Sequence, residues 1–169
     1  MWIVFIVFGV IAFLGLSVLT GAPYVPSHRR DVRQLFRDLG IGSDDVVLDI
    51  GSGDGIVLRE ASRCGATAIG YEIHPFFVVL SRLISRRDSK VSIILTDAWK
   101  APFPDTVTLV YIFSVGRDGR RVVRKMEHEA RRLGRTLDIV CYGNPLPKQE
   151  AVRQYGAYYR YRFQPLHSS

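Results

Sequence analysis

The spacing of apolar side chains divides the chain into two parts. Seventeen of the first 22 residues are apolar, and the run over 2–19 has no charge and only two glycines and one serine among apolar side chains. As a helix, this run of 18 residues extends about 27 Å, which is enough to cross a thin hydrocarbon core. The pattern predicts a transmembrane anchor over 1–22 and a globular domain over 23–169. A helix buried in the core of that domain is one alternative.

Charges around the apolar run predict its orientation. No basic side chain precedes it, whereas Arg29, Arg30, Arg33 and Arg37 follow it closely. Basic residues near a membrane span stay on the cytoplasmic side, so we expect a single-pass chain with its N-terminus outside and its domain in the cytoplasm. A cleaved signal peptide is the other alternative, but it needs a basic start, and Pro23 disfavours cleavage before it.

Apolar residues in the domain alternate between helical and strand spacing. The first predicted helix carries Val32, Leu35, Phe36 and Leu39 on one face and ends at Gly40. Later strands are predicted over 46–50, 66–73, 91–96, 107–113, 136–142 and 157–163, and helices over 56–64, 75–87 and 117–133, with a loop over 97–106. The alternation predicts an α/β domain with a mostly parallel sheet, helices on both faces, an exposed last strand and ligands at the carboxyl edge of the strands.

Composition excludes several classes of protein. The chain is 47% apolar over 169 residues, which is incompatible with a disordered or collagen-like chain. Cys64 and Cys141 form no CxxC pattern, and the four histidines have no metal-ligand spacing. We therefore predict no metal site.

The formal net charge is +7, and arginine supplies most of it, with 19 arginines against four lysines. One predicted helix carries a stripe of basic side chains, which consists of Arg117, Arg121, Arg124, His128, Arg131 and Arg135. A solvated face and a contact with anionic lipid or with a partner both explain such a stripe.

A glycine-rich turn follows the strand over 46–50 and opens a helix. Its sequence over 49–55 is Asp-Ile-Gly-Ser-Gly-Asp-Gly, and Glu72 follows at the end of the next strand, where a carboxylate can accept ribose hydroxyls. A dinucleotide site needs a small residue where Ile56 stands, and Asp49 would repel a pyrophosphate. The pattern favours a cationic adenosine ligand with an amino-acid end, such as S-adenosylmethionine. The predicted binding residues are Asp49, Gly51, Ser52, Gly53, Gly55, Glu72 and Asp97. Asp97 either accepts from an adenine amino group or caps a turn.

On these residues the chain resembles the class I, seven-strand methyltransferases. More narrowly, it resembles the membrane-anchored lysine methyltransferases related to the enzyme for the mitochondrial ATP synthase c-subunit. The matching pieces within 24–148, besides the apolar run before them, are the helix entry at Pro26-Ser27, the 49–55 turn, Gly70-Tyr71-Glu72 with Pro75, Asp97 with Trp99, and Pro145-Leu146-Pro147. The resemblance implies a Rossmann-like fold with a shortened C-terminal end, S-adenosylmethionine as cofactor, and a lysine of a membrane-associated protein as acceptor. His74, where the family usually has Asn, and the 113–116 segment Phe-Ser-Val-Gly depart from the family pattern.

Three aromatic residues fall near the carboxyl ends of predicted strands. Trp99, Phe113 and Tyr142 either line a channel for the methyl acceptor or pack as core and lid. Two other functions stay open: an RNA methyltransferase, which the arginines suggest and the anchor disfavours, and a binding or scaffold protein without catalysis.

Overall fold

The computed structural model describes Trp2, residues 28–114 and residues 116–165. Apart from Trp2, the predicted anchor over 1–22 lies outside the described residues. Among the helices of the described part, none has the length and apolarity that a membrane crossing requires.

The predicted elements form with bounds that agree with the sequence pattern to within three residues. The helices are α1 (Arg29–Leu39), α2 (Ile56–Arg63), α3 (Pro75–Ile84) and α4 (Gly119–Leu133), with a 3-10 turn (Gly116–Asp118) before α4. The strands are β1 (Val46–Ile50), β2 (Thr67–Glu72), β3 (Val91–Leu95), β4 (Leu109–Ser114), β5 (Leu137–Gly143), β6 (Arg153–Tyr155) and β7 (Tyr158–Phe163). α1 ends as predicted at Gly40, which adopts φ +71°, a conformation that favours glycine.

The strands form one seven-stranded sheet in the order β3-β2-β1-β4-β5-β7-β6. β1 lies at the centre of the parallel part, where Asp49 is in register with Gly70 of β2 and Tyr111 of β4. β7 runs antiparallel to β5, and β6 runs antiparallel to β7. The predicted Rossmann-like, mostly parallel α/β sheet is confirmed.

The C-terminal end differs from the prediction in two ways. The sequence pattern did not predict β6, because three residues are too few to show the alternation of a strand. The prediction of an exposed last strand was wrong, because β7 lies between β5 and β6 and buries Tyr158, Tyr161 and Phe163. A turn of two residues, Gly156 and Ala157, joins the two strands, so the sheet reaches seven strands although the C-terminal end is short.

Helices cover both faces of the sheet, as predicted. Successive residues of β1 point to opposite faces, so Val47 packs with α1, α2 and α3, whereas Leu48 packs with α4. Between β3 and β4 the described chain forms a loop instead of a helix. The sheet therefore has α1, α2 and α3 on one face, and α4 with this loop on the other. The site residues lie between these two layers.

Candidate functional site

The glycine turn after β1 follows the carboxyl edge of the sheet. Gly51, Gly53 and Gly55 have φ angles of +75°, +53° and +80°, which are strained for other residues. The amides of Gly51 and Ser52 donate to the Tyr71 carbonyl at 2.8 and 3.2 Å, which fixes the turn against the end of β2. Apart from Gly51 itself and its two chain neighbours, no described heavy atom lies within 4 Å of the position that a Gly51 Cβ would take. A ligand can therefore approach this backbone closely.

Glu72 connects the glycine turn to the start of α3. Its side chain is buried, with one carboxylate oxygen accepting from the Gly53 amide and the other from the His74 amide, both at 2.8 Å. The sequence spacing thus brings Glu72 and the turn together as expected. Each carboxylate oxygen retains a second lone pair that can accept from a hydroxyl.

Asp49 places a buried carboxyl group near the end of β1, just before the turn. Its side chain is only 3% exposed. Burial raises its pKa well above the usual value, and the negative charges of Glu72 and Asp54 raise the pKa further. A positively charged ligand would favour the ionised form, so this position is suited to a cation rather than to a phosphate.

Two small residues, Ser52 and Gly55, have different surroundings. The Ser52 hydroxyl oxygen is buried and has no hydrogen-bond partner among the described atoms, so it can bond to a ligand. It occupies space beside Gly70, where a Cβ would come within 2.5 Å of it. A Cβ on Gly55 would lie 2.3 Å from the Ser81 hydroxyl oxygen, so Gly55 allows α2 to pack against α3.

Asp97 follows β3 and caps a turn. One carboxylate oxygen accepts from the Trp99 amide at 3.0 Å, and the Asp97 carbonyl accepts from the amides of Lys100 and Ala101. The other carboxylate oxygen lies 3.9 Å from the Lys100 ammonium. The side chain thus has a structural role that leaves one oxygen for other partners.

Phe113 and Tyr142 lie together at the ends of β4 and β5, with ring centroids 5.5 Å apart. Tyr142 also stacks on Tyr158 at 4.7 Å, and Tyr111 lies 6.3 Å from Tyr158. We call these four residues the aromatic wall. Sequence reasoning missed Tyr158, whose place in the wall depends on the pairing of β7 with β5.

Tyr158 stays protonated at neutral pH. Burial raises its pKa to about 12, to which the Asp31 charge also contributes, while a hydrogen bond with Tyr111 opposes the shift. Tyr158 therefore contributes no charge to the aromatic wall. Val32, Leu35 and Phe36 of α1 share a core cluster with Tyr158, so α1 covers this face of the sheet.

Trp99 is not brought together with Phe113 and Tyr142. Its ring packs into the core on the α4 face, whereas Tyr142 packs on the other face. The Arg121 guanidinium lies 4.4 Å above the Trp99 ring centroid, a favourable cation–π distance. Between this ring and α4 is a cleft of about 450 Å³.

Basic side chains of α4 fix the loop that carries Trp99. Lys125 donates to the Ala101 carbonyl at 2.7 Å, and Arg132 donates to the Phe103 carbonyl at 2.5 Å. Both also pair with Glu129, which is 1% exposed and accepts from the Phe103 amide. Arg135, predicted in the basic stripe, instead donates to loop carbonyls. The stripe members Arg117, Arg121, Arg124, His128 and Arg131 are exposed.

Side chains that could bind a metal ion are spread over the described part of the chain. Within residues 28–114 and 116–165, no three His, Cys, Asp or Glu side chains are grouped in a way that could hold a metal ion.

Comparison with known sequences identifies similar proteins. A family profile described as "Methyltransferase domain" matches residues 48–135. The chain is 32% identical over 110 residues to the human lysine N-methyltransferase of the ATP synthase c-subunit, covering 63% of this chain and 46% of that protein. It is 36% identical over 87 residues to mouse adenine nucleotide translocase lysine N-methyltransferase, covering 49% and 38%. The chain spans about half the length of the curated relatives it matches.

Solved structures show the same fold. An RNA methyltransferase from Salinibacter ruber in complex with S-adenosyl-L-homocysteine superposes with a TM-score of 0.72 at 20% identity, covering 86% of this chain and 96% of that one. A SAM-dependent methyltransferase from Geobacter sulfurreducens, also with S-adenosyl-L-homocysteine, gives a TM-score of 0.54 at 18% identity, covering 77% and 55%. At these identities the similarity shows a shared fold.

Proposed function

Because the chain belongs to the methyltransferase domain family, we propose that it transfers a methyl group from S-adenosylmethionine to a lysine of a membrane-associated protein. Two of its relatives are named as lysine methyltransferases, one of the ATP synthase c-subunit and one of the adenine nucleotide translocase. The observation that carries the proposal is the position of the aromatic wall, which lies at the same sheet edge as the glycine turn.

The residues of the turn fit S-adenosylmethionine. Gly51 borders open space, the Ser52 hydroxyl has no partner among the described atoms, and Glu72 has lone pairs for ribose hydroxyls. Buried Asp49 favours a ligand that carries positive charge. When bound, the cofactor supplies an electrophilic methyl group on a sulfonium.

The aromatic wall is suited to a lysine that must lose its proton. A free lysine has a pKa of about 10.4, so about one in 2500 is neutral at pH 7, which costs about 4.6 kcal/mol. Half-buried Phe113 and Tyr142 would disfavour the ammonium form. The Tyr158 hydroxyl, with its pKa raised to about 12, is protonated and cannot act as the base. The wall therefore lowers the cost of deprotonation and aligns the amine.

The start of α1 supports a membrane tether. α1 ends shortly before the start of β1, and its buried side chains share a core cluster with Tyr158. Because α1 leads into the start of β1, it begins towards the carboxyl edge, so a chain from the apolar run over 2–19 would enter the domain near the wall. A tether over 21–26 reaches at most about 20 Å, which would keep the site near the cytoplasmic surface.

Methylation of a membrane fraction tests this function. Membranes from cells that lack the protein are incubated with the full chain and tritiated S-adenosylmethionine, and the labelled residue is identified by mass spectrometry. We expect label on a lysine of a membrane protein. Label in RNA, or on a soluble protein without membrane association, would contradict the proposal.

Variants of the aromatic residues test the acceptor channel. Tyr142→Ala should lower the methylation rate more than the cofactor affinity, because its ring lies against Phe113 and Tyr158. Trp99→Ala is the comparison, since Trp99 packs on the opposite face of the sheet. A rate loss confined to Trp99→Ala would instead place the acceptor beside the α4 cleft.

A further inference from the structure

Most of the exposed large apolar side chains lie in one region. Seven of the nine in the described residues belong to α3, β3 and the residue that leads into α3, and each is at least 42% exposed. They are Ile73, Phe76, Val79, Leu83, Ile84, Ile94 and Leu95. A patch of this kind on a folded domain marks a contact with another surface.

The patch follows one side of α3. Phe76, Val79 and Leu83 recur at intervals of three and four residues, on the side away from the buried residues Val78 and Ser81. α3 therefore presents apolar residues both to the sheet and to its outer side. We call the outer side, together with Leu95 of the edge strand β3, the α3 face; Ile94 points to the opposite face of the sheet.

We propose that the α3 face lies on an anionic lipid surface. α3 contains no acidic residue, and the exposed cations Arg86, Arg87 and Lys90 follow its last turn. The one acid among them, Asp88, accepts from the Ser62 hydroxyl and from the Lys90 amide. An apolar helix side with arginines at its end is the pattern of an interfacial helix.

A second copy of the chain fits the α3 face less well. Two copies joined through this surface would bring Arg86 and Arg87 near the partner's same surface, which offers no acidic residue in α3 to pair with them. Anionic headgroups provide the complementary charge.

The entry of the chain into the domain is consistent with lipid contact. α3 begins at Pro75, three residues after Glu72 at the carboxyl edge; α1 packs on the same face and begins towards the same edge, because it leads into the start of β1. The 27 residues before His28 contain the apolar run. An anchor and the α3 face would contact one bilayer together and restrict rotation of the domain. This contact does not depend on methyl transfer.

The basic stripe of α4 lies on the other side of the sheet, so a position in this stripe provides a matched control for the α3 face. Cys64 is replaced by serine, and Cys141 is fully buried with its thiol pKa raised to about 12, so it does not react with the label. The full chain is then labelled with an environment-sensitive fluorophore at Val79→Cys or, as control, at His128→Cys.

Each labelled chain is reconstituted into phosphatidylcholine vesicles with phosphatidylglycerol, with or without nitroxide-labelled lipid. We expect a blue-shifted emission at position 79 that nitroxide lipid quenches, and neither effect at position 128. An unshifted probe at 79 would overturn the proposal, as would a shift that nitroxide lipid does not quench, because a protein segment would then cover the face. Quenching at 128 alone would also overturn it.

The basic end of the α3 face is tested separately. Arg86→Gln with Arg87→Gln should weaken the lipid contact at position 79 roughly tenfold or more on anionic vesicles, because each cation near such a surface favours binding several-fold. Raising the salt concentration should also weaken the lipid contact, because salt screens the attraction between the cations and the headgroups. Contact unchanged by either treatment would show that headgroup charge has no part in it.

Discussion

Loss of the Glu72 carboxylate should weaken cofactor binding more directly than any other single change at the site. Glu72→Ala removes the acceptor for ligand hydroxyls and releases the Gly53 and His74 amides. A hydrogen bond to a charged group contributes about 1.5–3 kcal/mol, so we expect S-adenosylmethionine affinity to fall roughly ten- to hundredfold by calorimetry. Asp97→Asn serves as a milder control. Unchanged affinity in Glu72→Ala would refute the assignment.

Asp49 should lower the free energy of unfolding of the protein without ligand, while its carboxylate favours binding of a cationic ligand. Its pKa is raised by burial and then by the charges of Glu72 and Asp54. The cost of ionising it therefore grows as pH rises from the usual aspartate range through the folded-state pKa. Asp49→Asn should raise the free energy of unfolding at neutral pH and lower S-adenosylmethionine affinity. Urea denaturation at acidic and neutral pH measures the first effect, and a variant that is less stable at neutral pH would contradict it.

Sequence reasoning reached the residues of the turn but not the whole aromatic wall. Asp49, Gly51 and Glu72 could be associated because two adjacent strands and one short turn connect them. Tyr158 required knowledge that β7 pairs with β5, which no local spacing shows. Trp99 was grouped with Phe113 because both follow strands, but the path of its loop places it against α4.

The contact between α4 and the loop before β4 should make a large contribution to stability. Burial raises the pKa of Glu129, but hydrogen bonds from Lys125, Arg132 and the Phe103 amide outweigh it and leave the pKa lowered. Glu129→Ala would leave two cations without this partner, so we expect the free energy of unfolding to fall by about 3 kcal/mol.

The same contact predicts a pH dependence. Because the folded-state pKa of Glu129 is lowered, its contribution is present above the usual glutamate range and is lost as pH falls through the folded-state value. The stability difference between wild type and Glu129→Ala should therefore shrink in acid. Glu127→Ala on the same helix is the control, since Glu127 is less buried. Equal stability of the two variants at neutral pH would contradict the expectation.

At the scale of elements, periodicity predicted every helix and all strands but one in the described part of the chain. α4 was recognised from its apolar face, yet the side chains that bind the loop were assigned in part to a solvated stripe. Backbone carbonyls accept from Arg135 and Lys125, and carbonyl positions carry no sequence signal. β6 was not predicted because it has only three residues.

For the whole molecule, the apolar run over 2–19 predicts firm membrane attachment. Alkaline carbonate extraction should leave the full chain in the pellet, while a chain that starts at Pro23 should become soluble, because peripheral contacts alone do not resist this treatment. The shorter chain keeps the residues of both core clusters. Detection of a mature protein that begins at Pro23 in cells would contradict the anchor.

The position of β7 has a consequence for synthesis of the protein. β5 and β6 are made before β7, but β7 lies between them in the sheet. A nascent chain that ends near residue 155 would therefore expose the backbone edge of the apolar strand β5, which is a template for aggregation. Arrival of β7 covers this edge and places Tyr158 against Tyr142. Protection from aggregation and completion of the aromatic wall thus occur in the same step, so a prematurely terminated chain would be both inactive and prone to misassembly.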